Sequence, residues 1–466
     1  MADVRPVPGI RYAPETDLAA VVTPPYDVIS PEAQVRYYER APENIIRLEL
    51  GRDEPDDDEL ANRYTRAALT FADWRLRGVL QQDAPALYLY EQRFTTPALD
   101  GGERTRLSLL ARVRIEPWEA GVVLPHERTL SKPKSDRLKL ARATAATLSP
   151  IMSLYDDPGG ELAKALAKSL KRAPDADFTD EGGESHRLWV VRDAALIERV
   201  ARFFRDRQLY IADGHHRYET ALAYREELRE ARRELPPEDA ANFTLMALSA
   251  IEDPGLVVLP THRIVRGVAP ERLAEFQRDL EGLFEVAPLP ADGEKSAEGL
   301  DDLDGLAAPD VIRALTAAGD SGQRVAFALV APDGVRLLRL TDAGRAAMDS
   351  RDERAAGGSS ASSDAGASAA WRGLDVAVLH ELVLARGLSV SEQAIRAGEH
   401  VTYTRDAQAA LDAVRSGADG AQLAFLLNPT PPAAIRDVAR AGDRMPQKST
   451  YFYPKLITGL VINPLW

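Results

Sequence analysis

The amino-acid sequence predicts a multidomain α+β protein. At 466 residues the chain is too long for one compact core, so two or three domains are expected. Helix-type and strand-type patterns follow one another without a long regular alternation, which is typical of α+β or mixed α/β folds. Two stretches of linker-like composition, near 287–309 and at 355–370, separate the patterned parts of the chain.

The individual elements follow from periodicity and from helix-capping residues. The first fifty residues predict short strands and turns, except where Ser30 as N-cap and Pro31 at the first helical position open a helix. Helices are predicted over 59–79, from Ser135 onwards and near 194–206. Strands are predicted at 86–94, 107–117, 187–193 and 209–213, in the runs TLMALSAIED and GLVVLPTHRIV, and in a hairpin that turns at Asp333-Gly334.

These elements suggest four consecutive parts. We expect an N-terminal and central domain over 1–285 and a hairpin-containing segment over 310–345. A low-complexity loop is expected over 350–371, and a C-terminal globular segment over 372–466 that packs on the core.

Composition excludes several classes of function. The chain has no cysteine, so disulfides, thiolate metal sites and a cysteine nucleophile are ruled out. The net charge of −14 argues against broad nucleic-acid binding, which needs a positive surface. The N-terminus lacks the apolar region of a signal peptide, and no apolar run has the length of a membrane span. A cytoplasmic protein without a membrane or nucleic-acid partner is expected.

The most specific motif is QLYIADGHHRYETALAYREEL at 208–228. A short apolar strand is followed by a turn at Asp213-Gly214, and a helix then begins with His215, His216 and Arg217. Unpaired N–H groups and the helix dipole favour anions at such a helix start. Gly214 allows a ligand to approach the backbone closely, Arg217 can pair with phosphate, and either histidine can donate a hydrogen bond. The sequence therefore predicts a phosphate site here.

The motif Asp213-Gly214-His215-His216-Arg217 resembles the signature of the ParB/sulfiredoxin superfamily, and in particular that of its free-serine kinases. The resemblance implies a ParB/sulfiredoxin-like nucleotide-binding domain with additional α/β segments, in which this turn holds nucleotide phosphates. Sulfiredoxins have a catalytic cysteine within the equivalent turn, where this chain has His215. Without cysteine, sulfinic-acid repair is excluded, which leaves phosphoryl transfer or nucleotide binding.

A wider resemblance covers most of the chain. The blocks VVTPPYDVIS, LPHERTLSKPKSDRL, IADGHHRYETAL, LPTHRIV and MPQKSTYFYPKLITGLVINPL look like the bacterial "domain of unknown function 1015" family. The blocks are collinear, and the chain is identified on them as a member of that family.

Other segments supply candidate contacts for the phosphate site. Residues 125–142 reverse the overall acidity of the chain, with six basic residues against two acidic ones. Either this is an anion-facing surface or it is a solvated loop that leads into a helix. The block at 445–455 is not a Walker motif, but some of its side chains can face a ligand. The candidates are His126, Arg128, Lys132, Lys134 and Arg137 in the first segment, and Lys448, Ser449, Thr450 and Lys455 in the second.

Three carboxylates are candidates for orienting a hydroxyl nucleophile and accepting its proton, namely Asp27, Glu127 and Asp213. Asp27 lies on a segment stiffened by two prolines, and the alternative to a catalytic role is that its carboxylate is a structural part of the turn. Asp213 is alternatively a ligand for Mg²⁺. His262, at a strand end with Arg263, can add a cationic contact, but a lone histidine there is more often structural.

Together these observations predict a nucleotide-dependent kinase that uses ATP or ADP with Mg²⁺ and phosphorylates a small hydroxyl metabolite. The kinase-like motif makes free serine one candidate acceptor. One alternative is a ParB-type regulatory protein that binds or hydrolyses nucleotide without a metabolite acceptor. A second is a metal-dependent hydrolase using His126, His215, His216 and His262, although the adjacent pair points to different helix faces. The sequence does not indicate the oligomeric state.

Overall fold

The computed structural model describes residues 1–96, 101–127, 131–232, 235–289, 306–319, 324–349 and 367–466, without the side chains of residues 131–134 and 277. The chain divides into two compact units, Met1–Val257 with Phe452–Trp466, and Val258–Tyr451. The boundary expected after residue 285 falls inside the second unit. The expected C-terminal segment 372–466 is divided, because its last part belongs to the first unit. A low-complexity loop was expected over 350–371, and its residues 350–366 lie outside the described residues.

The strands of the described residues vary from two to twelve residues in length. In chain order they are β1 (Val4–Arg5), β2 (Ile10–Tyr12), β3 (Leu80–Gln82), β4 (Leu87–Thr95), β5 (Glu103–Arg114), β6 (Val123–Leu124), β7 (Ala146–Thr147), β8 (Ile151–Tyr155), β9 (Ala176–Thr179), β10 (Ser185–Val191), β11 (Leu209–Asp213), β12 (Phe243–Ala250), β13 (Val257–Leu259), β14 (His262–Arg266), β15 (Phe284–Pro288), β16 (Ala326–Ala331), β17 (Gly334–Leu340), β18 (Val401–Thr404), β19 (Ala421–Leu427), β20 (Tyr451–Tyr453) and β21 (Asn463–Pro464).

The helices range from single turns to the 18 residues of the central helix. In chain order they are α1 (Leu18–Val21), α2 (Pro31–Arg40), α3 (Ile46–Glu49), α4 (Arg63–Leu76), α5 (Ser131–Thr144), α6 (Glu161–Leu166), α7 (Ala194–Phe204), α8 (His215–Arg232), α9 (Pro270–Leu283), α10 (Ala308–Ala318), α11 (Asp342–Asp349), α12 (Ala369–Arg372), α13 (Asp375–Val378), α14 (Glu392–Ala397), α15 (Ala407–Ser416) and α16 (Pro432–Arg440). A π-helical segment, Leu379–Gly387, follows α13.

A large mixed sheet organises the first unit. Its strand order is β6-β11-β8-β12-β5-β4-β10-β9, and β1 pairs with β5 at the side. The β11–β6 and β12–β8 pairs are parallel, whereas the other pairs are antiparallel. The core brings Ile211 and Met246 of the sheet together with Phe204 of α7 and Tyr218 of α8, none of them more than 1 % exposed. The sheet and α8 therefore share one apolar core, which fixes where α8 begins.

An antiparallel sheet organises the second unit. Its strand order is β15-β17-β16-β19-β14-β18. The strands expected around Asp333-Gly334 form the pair β16–β17, with Ala331 opposite Gly334 across a two-residue loop. Buried residues of β16, β19, α10 and α15 form the core of this unit.

The sequence placed most elements correctly, and two local expectations were incomplete. Helix α2 starts as expected, because Ser30 Oγ accepts a hydrogen bond from the Ala33 N–H at 3.2 Å. The first fifty residues also contain the four-residue helices α1 and α3, which are too short to show helical periodicity. Helix α5 begins at residue 131 rather than 135, since Pro133 is tolerated in a first turn, where backbone N–H groups have no helical partner.

The described residues thus form a mixed α/β structure with one large mixed sheet and several smaller sheets. Among these residues, no helix combines the length and the apolar character that crossing a bilayer requires.

Candidate functional site

The predicted phosphate site lies where β11 ends and α8 begins. Residues 209–212 are buried in the sheet, where β11 pairs with β8 on one side and β6 on the other. The chain leaves the sheet at Asp213 and turns through Gly214, whose φ is +95°. Helix α8 then starts at His215, and the Tyr218 N–H donates to Gly214 O at 3.0 Å. The N–H groups in the first helical turn of α8 have no partner within the helix. They therefore face the loop where the chain leaves the sheet.

Gly214 is required by the close approach of Arg217. A Cβ atom on Gly214 would lie 2.9 Å from Arg217 Nε and 3.0 Å from Arg217 Cζ. The positive φ adds a second reason for glycine, because side chains other than hydrogen are strained there. From the sequence we expected a ligand to approach the backbone at Gly214. In the structure, the Arg217 guanidinium occupies this space.

Asp213 is held between two cations. Its Oδ2 is 3.0 Å from Lys455 Nζ, and its Oδ1 is 3.6 Å from Arg217 Nη2. Burial alone would raise the pKa of Asp213, but Lys455 and Arg217 outweigh it and hold that pKa well below its usual range. The carboxylate is therefore ionised at neutral pH and is a weak proton acceptor.

Arg217 is a buried cation that the protein itself engages. Only 9 % of the residue is exposed, and Nη1 donates a hydrogen bond to Pro150 O. Burial would lower the pKa of Arg217, but the negative charges of Asp213 and Asp27 raise it. The site therefore keeps a permanent positive charge at the start of α8.

Two predicted histidines meet beside this turn. His126 Nδ1 lies 2.6 Å from Ile211 O, so this nitrogen carries the proton and donates it to the carbonyl. The backbone N–H of His126 donates to His215 Nε2 at 3.3 Å, which leaves the proton of a neutral His215 on Nδ1. The two rings are 4.7 Å apart and nearly perpendicular. The segment that begins at residue 125 thus reaches the central motif.

Arg137 lies in a neighbouring buried cluster. Its Nη1 donates to Glu49 O at 2.9 Å and lies 3.3 Å from Glu49 Oε1, which also accepts from Ser149 Oγ at 3.0 Å. The Arg137 guanidinium carbon stacks 4.0 Å from the centre of the Tyr26 ring. Burial raises the pKa of Glu49 despite the opposing charge of Arg137. A cavity of about 60 Å³ is lined by Glu49, Arg137 and Arg217, so it links the cluster to the turn.

The remaining predicted residues are distributed more widely. Asp27 is exposed on the short helical turn Tyr26–Val28, and its charge acts on Arg217. Glu127 is half-buried next to His126, and His216 is half-buried in the first turn of α8. Arg128 lies outside the described residues, as do the side chains of Lys132 and Lys134.

Lys448 and His262 belong to the second unit. His262 is 1 % exposed, and its Nδ1 accepts a hydrogen bond from the Leu427 N–H at 3.2 Å. Burial, and then the charge of Arg263, lowers the pKa of His262 to about 4. Arg263 Nη2 donates to Lys448 O at 3.1 Å. His262 is therefore a neutral histidine of the core, which is the more common role of a lone histidine at a strand end.

Sequence reasoning missed Glu49 and Tyr26 as parts of this region. The signal for Glu49 was its position in the apolar run IIRLELG, because a charged residue there must be exposed or paired. Tyr26 stands in the proline-rich segment that drew attention to Asp27 instead. Burial raises the pKa of Tyr26 to about 12, so the phenol is neutral beside Arg137.

A wider cavity of about 610 Å³ lies along a later part of α8. Its lining includes polar and aromatic residues, among them Arg114, Glu116, Trp118, Glu219, Arg225 and Arg229. Within the described residues, no residue predicted for the phosphate site lines this cavity. Its volume is in the range of small-molecule pockets, so it is the competing location for a ligand.

A family model described as a protein of unknown function, DUF1015, matches residues 4–377. The chain belongs to the DUF1015 family. The matched range includes the turn at Asp213 and His126, whereas Lys448 and Lys455 lie beyond it. The family expected from the sequence blocks is thereby confirmed.

Comparison with other proteins gives distant likenesses. No curated protein matches the chain. A conserved hypothetical protein from Pyrococcus furiosus is similar in structure, with 11 % identity, 77 % of this chain and 97 % of that chain covered, and a TM-score of 0.33. A mutant free serine kinase in complex with ADP has 12 % identity, covers 76 % and 92 % of the two chains, and has a TM-score of 0.32. SbnI from Staphylococcus aureus, truncated at its C-terminus, has 11 % identity, covers 76 % and 87 %, and has a TM-score of 0.31.

Proposed function

We propose that this DUF1015 protein is a nucleotide-dependent phosphotransferase that acts on a small hydroxyl metabolite. One observation supports the proposal most strongly. At a strand-to-helix turn, Arg217, Lys455 and His215 surround the carboxylate of Asp213, and α8 begins at the same turn with its first N–H groups. This arrangement collects positive charge and hydrogen-bond donors in a protein whose net charge is −14.

The proposed fold of the first unit is that of a ParB/sulfiredoxin-like nucleotide domain. It is supported by the sequence Asp213-Gly214-His215-His216-Arg217, which stands between a buried strand and a long helix. The phosphates of ATP or ADP would lie at the N-terminus of α8. The cavity beneath Arg217, about 60 Å³, has room for a few water molecules but not for a nucleotide base, so the base would lie outside it.

Asp213 is better suited to hold a cation than to accept a proton. Its depressed pKa makes it a weak base, while its permanent negative charge suits Mg²⁺. When bound, Mg²⁺ would neutralise charge on the phosphate oxygens. Lys455 and Arg217 would keep the carboxylate ionised and oriented toward the turn.

Asp27 and Glu127 are the proposed groups for the acceptor. The acceptor hydroxyl oxygen would form a bond to the terminal phosphorus of the nucleotide, while the bond from that phosphorus to the bridging oxygen breaks. One of these carboxylates would take the hydroxyl proton. Asp27 is exposed and Glu127 half-buried, so both are accessible to a small substrate. His126 and Arg137 remain proposed phosphate contacts.

The test is phosphoryl transfer by the purified full chain. ATP or ADP with Mg²⁺ is incubated with free serine and other small hydroxyl metabolites, and phosphorylated products are followed by phosphorus NMR. Asp27→Asn and Glu127→Gln should lower the turnover number more than the affinity for nucleotide, since neither is proposed to bind phosphate. Asp73→Asn, an exposed helix carboxylate, is the control.

Two outcomes would change the proposal. Nucleotide binding without a phosphorylated product from any acceptor would favour the regulatory alternative. Unchanged turnover in both carboxylate variants would remove Asp27 and Glu127 from the mechanism.

A further inference from the structure

A hairpin far along the sheet from α8 brings together three side chains of the types that can bind metal ions. Strands β9 and β10 are joined by the turn 180–184, in which the Asp180 N–H donates to Glu184 O at 2.9 Å. The Glu184 N–H in turn donates to Asp180 Oδ1 at 2.9 Å. These two bonds fix the turn. Glu184 and His186 are two residues apart at the start of β10, so they lie on one face of the strand.

The His186 ring is held in one orientation. The residue is 0 % exposed, and its ring lies between Phe178, with ring centres 5.0 Å apart, and Tyr90, with centres 6.0 Å apart. The interplanar angles are 28° and 18°, so both neighbours are stacked on the imidazole. His186 Nδ1 and the Tyr90 hydroxyl are 2.8 Å apart. The hydrogen bond and the stacking together direct the other nitrogen, Nε2, toward the turn.

His186 Nε2 forms no hydrogen bond with any described residue, although it is buried. Its distance to Asp180 Oδ2 is 3.3 Å, so the carboxylate stands beside this nitrogen. An unsatisfied buried nitrogen carries a desolvation cost, so each such group calls for a partner. One ligand atom from each of Asp180, Glu184 and His186 lies within 4.8 Å of the others.

The geometry points to a site for a divalent transition-metal ion, Zn²⁺ or Mn²⁺, bound by Asp180 Oδ2, a Glu184 carboxylate oxygen and His186 Nε2. An imidazole with two carboxylates suits these ions better than Ca²⁺, which prefers oxygen ligands alone. Tyr90 would act as a positioning residue by fixing the ring through Nδ1, as the partners of metal-bound histidines commonly do. The carboxylates are half-buried, which leaves a coordination position open to water.

Metal titration of the full chain tests the site independently of nucleotide binding. The protein is freed of metal with a chelator, and Zn²⁺, Mn²⁺ and Mg²⁺ are titrated by calorimetry, with Co²⁺ absorption as the spectroscopic probe. One equivalent of Zn²⁺ or Mn²⁺ is expected, with Mg²⁺ binding far more weakly. Asp180→Asn and Glu184→Gln keep the shapes of the side chains and should abolish this binding.

Two variants separate a metal site from a general effect on the hairpin. Glu181→Gln changes an exposed carboxylate in the same turn that bonds to Tyr37 instead, and it should bind metal as the parent does. Tyr90→Phe should weaken binding by roughly 10- to 100-fold while leaving the stoichiometry unchanged. Melting of the metal-free variants shows that each is folded. No saturable binding by the parent, or equal binding by Glu184→Gln, would overturn the inference.

Discussion

The ion pair between Asp213 and Lys455 should contribute measurably to stability. Their charged atoms are 3.0 Å apart, and the side chains are only 19 % and 13 % exposed. At an effective dielectric constant of about 20, such a pair attracts by about 5 to 6 kcal/mol, before the cost of taking both charges out of water. Arg217 Nη2, 3.6 Å from Asp213, remains as a second cation when Lys455 is changed. A net coupling of about 1 to 3 kcal/mol is therefore expected.

A double-mutant cycle measures this coupling. Asp213→Asn, Lys455→Met and the double variant are unfolded in urea, and tryptophan fluorescence is followed. Trp371 alone lies in the second unit, while the other tryptophans lie in the first, so a Trp371→Phe background reports on the unit that contains the pair. The double variant should lose less stability than the sum of the single variants, by the coupling energy.

An exposed pair supplies the control. Arg142 and Glu227 also form an ion pair, but their side chains are 52 % and 37 % exposed, so a cycle on them should give less than about 1 kcal/mol. Additive losses for Asp213 and Lys455, within about 0.5 kcal/mol, would refute the reasoning.

Three further predictions concern the turn and two buried groups. Gly214→Ala should destabilise the protein by about 1 to 3 kcal/mol more than Gly78→Ala, because both have positive φ but only the former brings a Cβ against Arg217; urea unfolding of both variants measures the difference. Burial raises the pKa of Asp375 from 3.8 to about 7, so its favourable contribution is complete below pH 3.8 and is lost as the pH rises toward 7. Relative to Asp375→Asn, the parent should therefore lose up to about 1.4 kcal/mol of stability per pH unit across that window. Burial lowers the pKa of His262 from 6.5 to about 4, so stability should fall as the pH drops from 6.5 toward 4, and His262→Gln should reduce that slope; equal slopes would contradict this assignment.

The fold was predictable where local signals are strong. The Ser30-Pro31 start of α2, the strand that ends at Asp213 and the hairpin around Asp333 all follow from capping, apolar runs and turn residues. The division into units was not predictable, because it depends on which distant segments pair. The return of Phe452–Trp466 to the first unit is such a long-range event, and no periodicity signals it.

The candidate site shows the same limit. The motif from Asp213 to Arg217 was visible in the sequence, and His126 and Lys455 were visible there as candidate ligand contacts. The partners of these residues were not, since Arg217 bonds to Pro150 and fills the space beside Gly214 only once the chain is folded. His186 was not predicted as a candidate ligand, because the orientation of its ring depends on stacking against Tyr90 of the neighbouring strand.

Nucleotide binding at the turn is the central claim, and thermal stabilisation tests it most directly. The full chain is melted with ATP, ADP, CTP and GTP, each with Mg²⁺, beside Arg217→Ala, Lys455→Met and Arg229→Ala. A nucleotide at a hundredfold its dissociation constant should add about 2.7 kcal/mol, and this gain should vanish in the Arg217 and Lys455 variants but persist in Arg229→Ala. A gain lost only in Arg229→Ala would move the nucleotide to the wider cavity along α8. No gain with any nucleotide would contradict the proposed function.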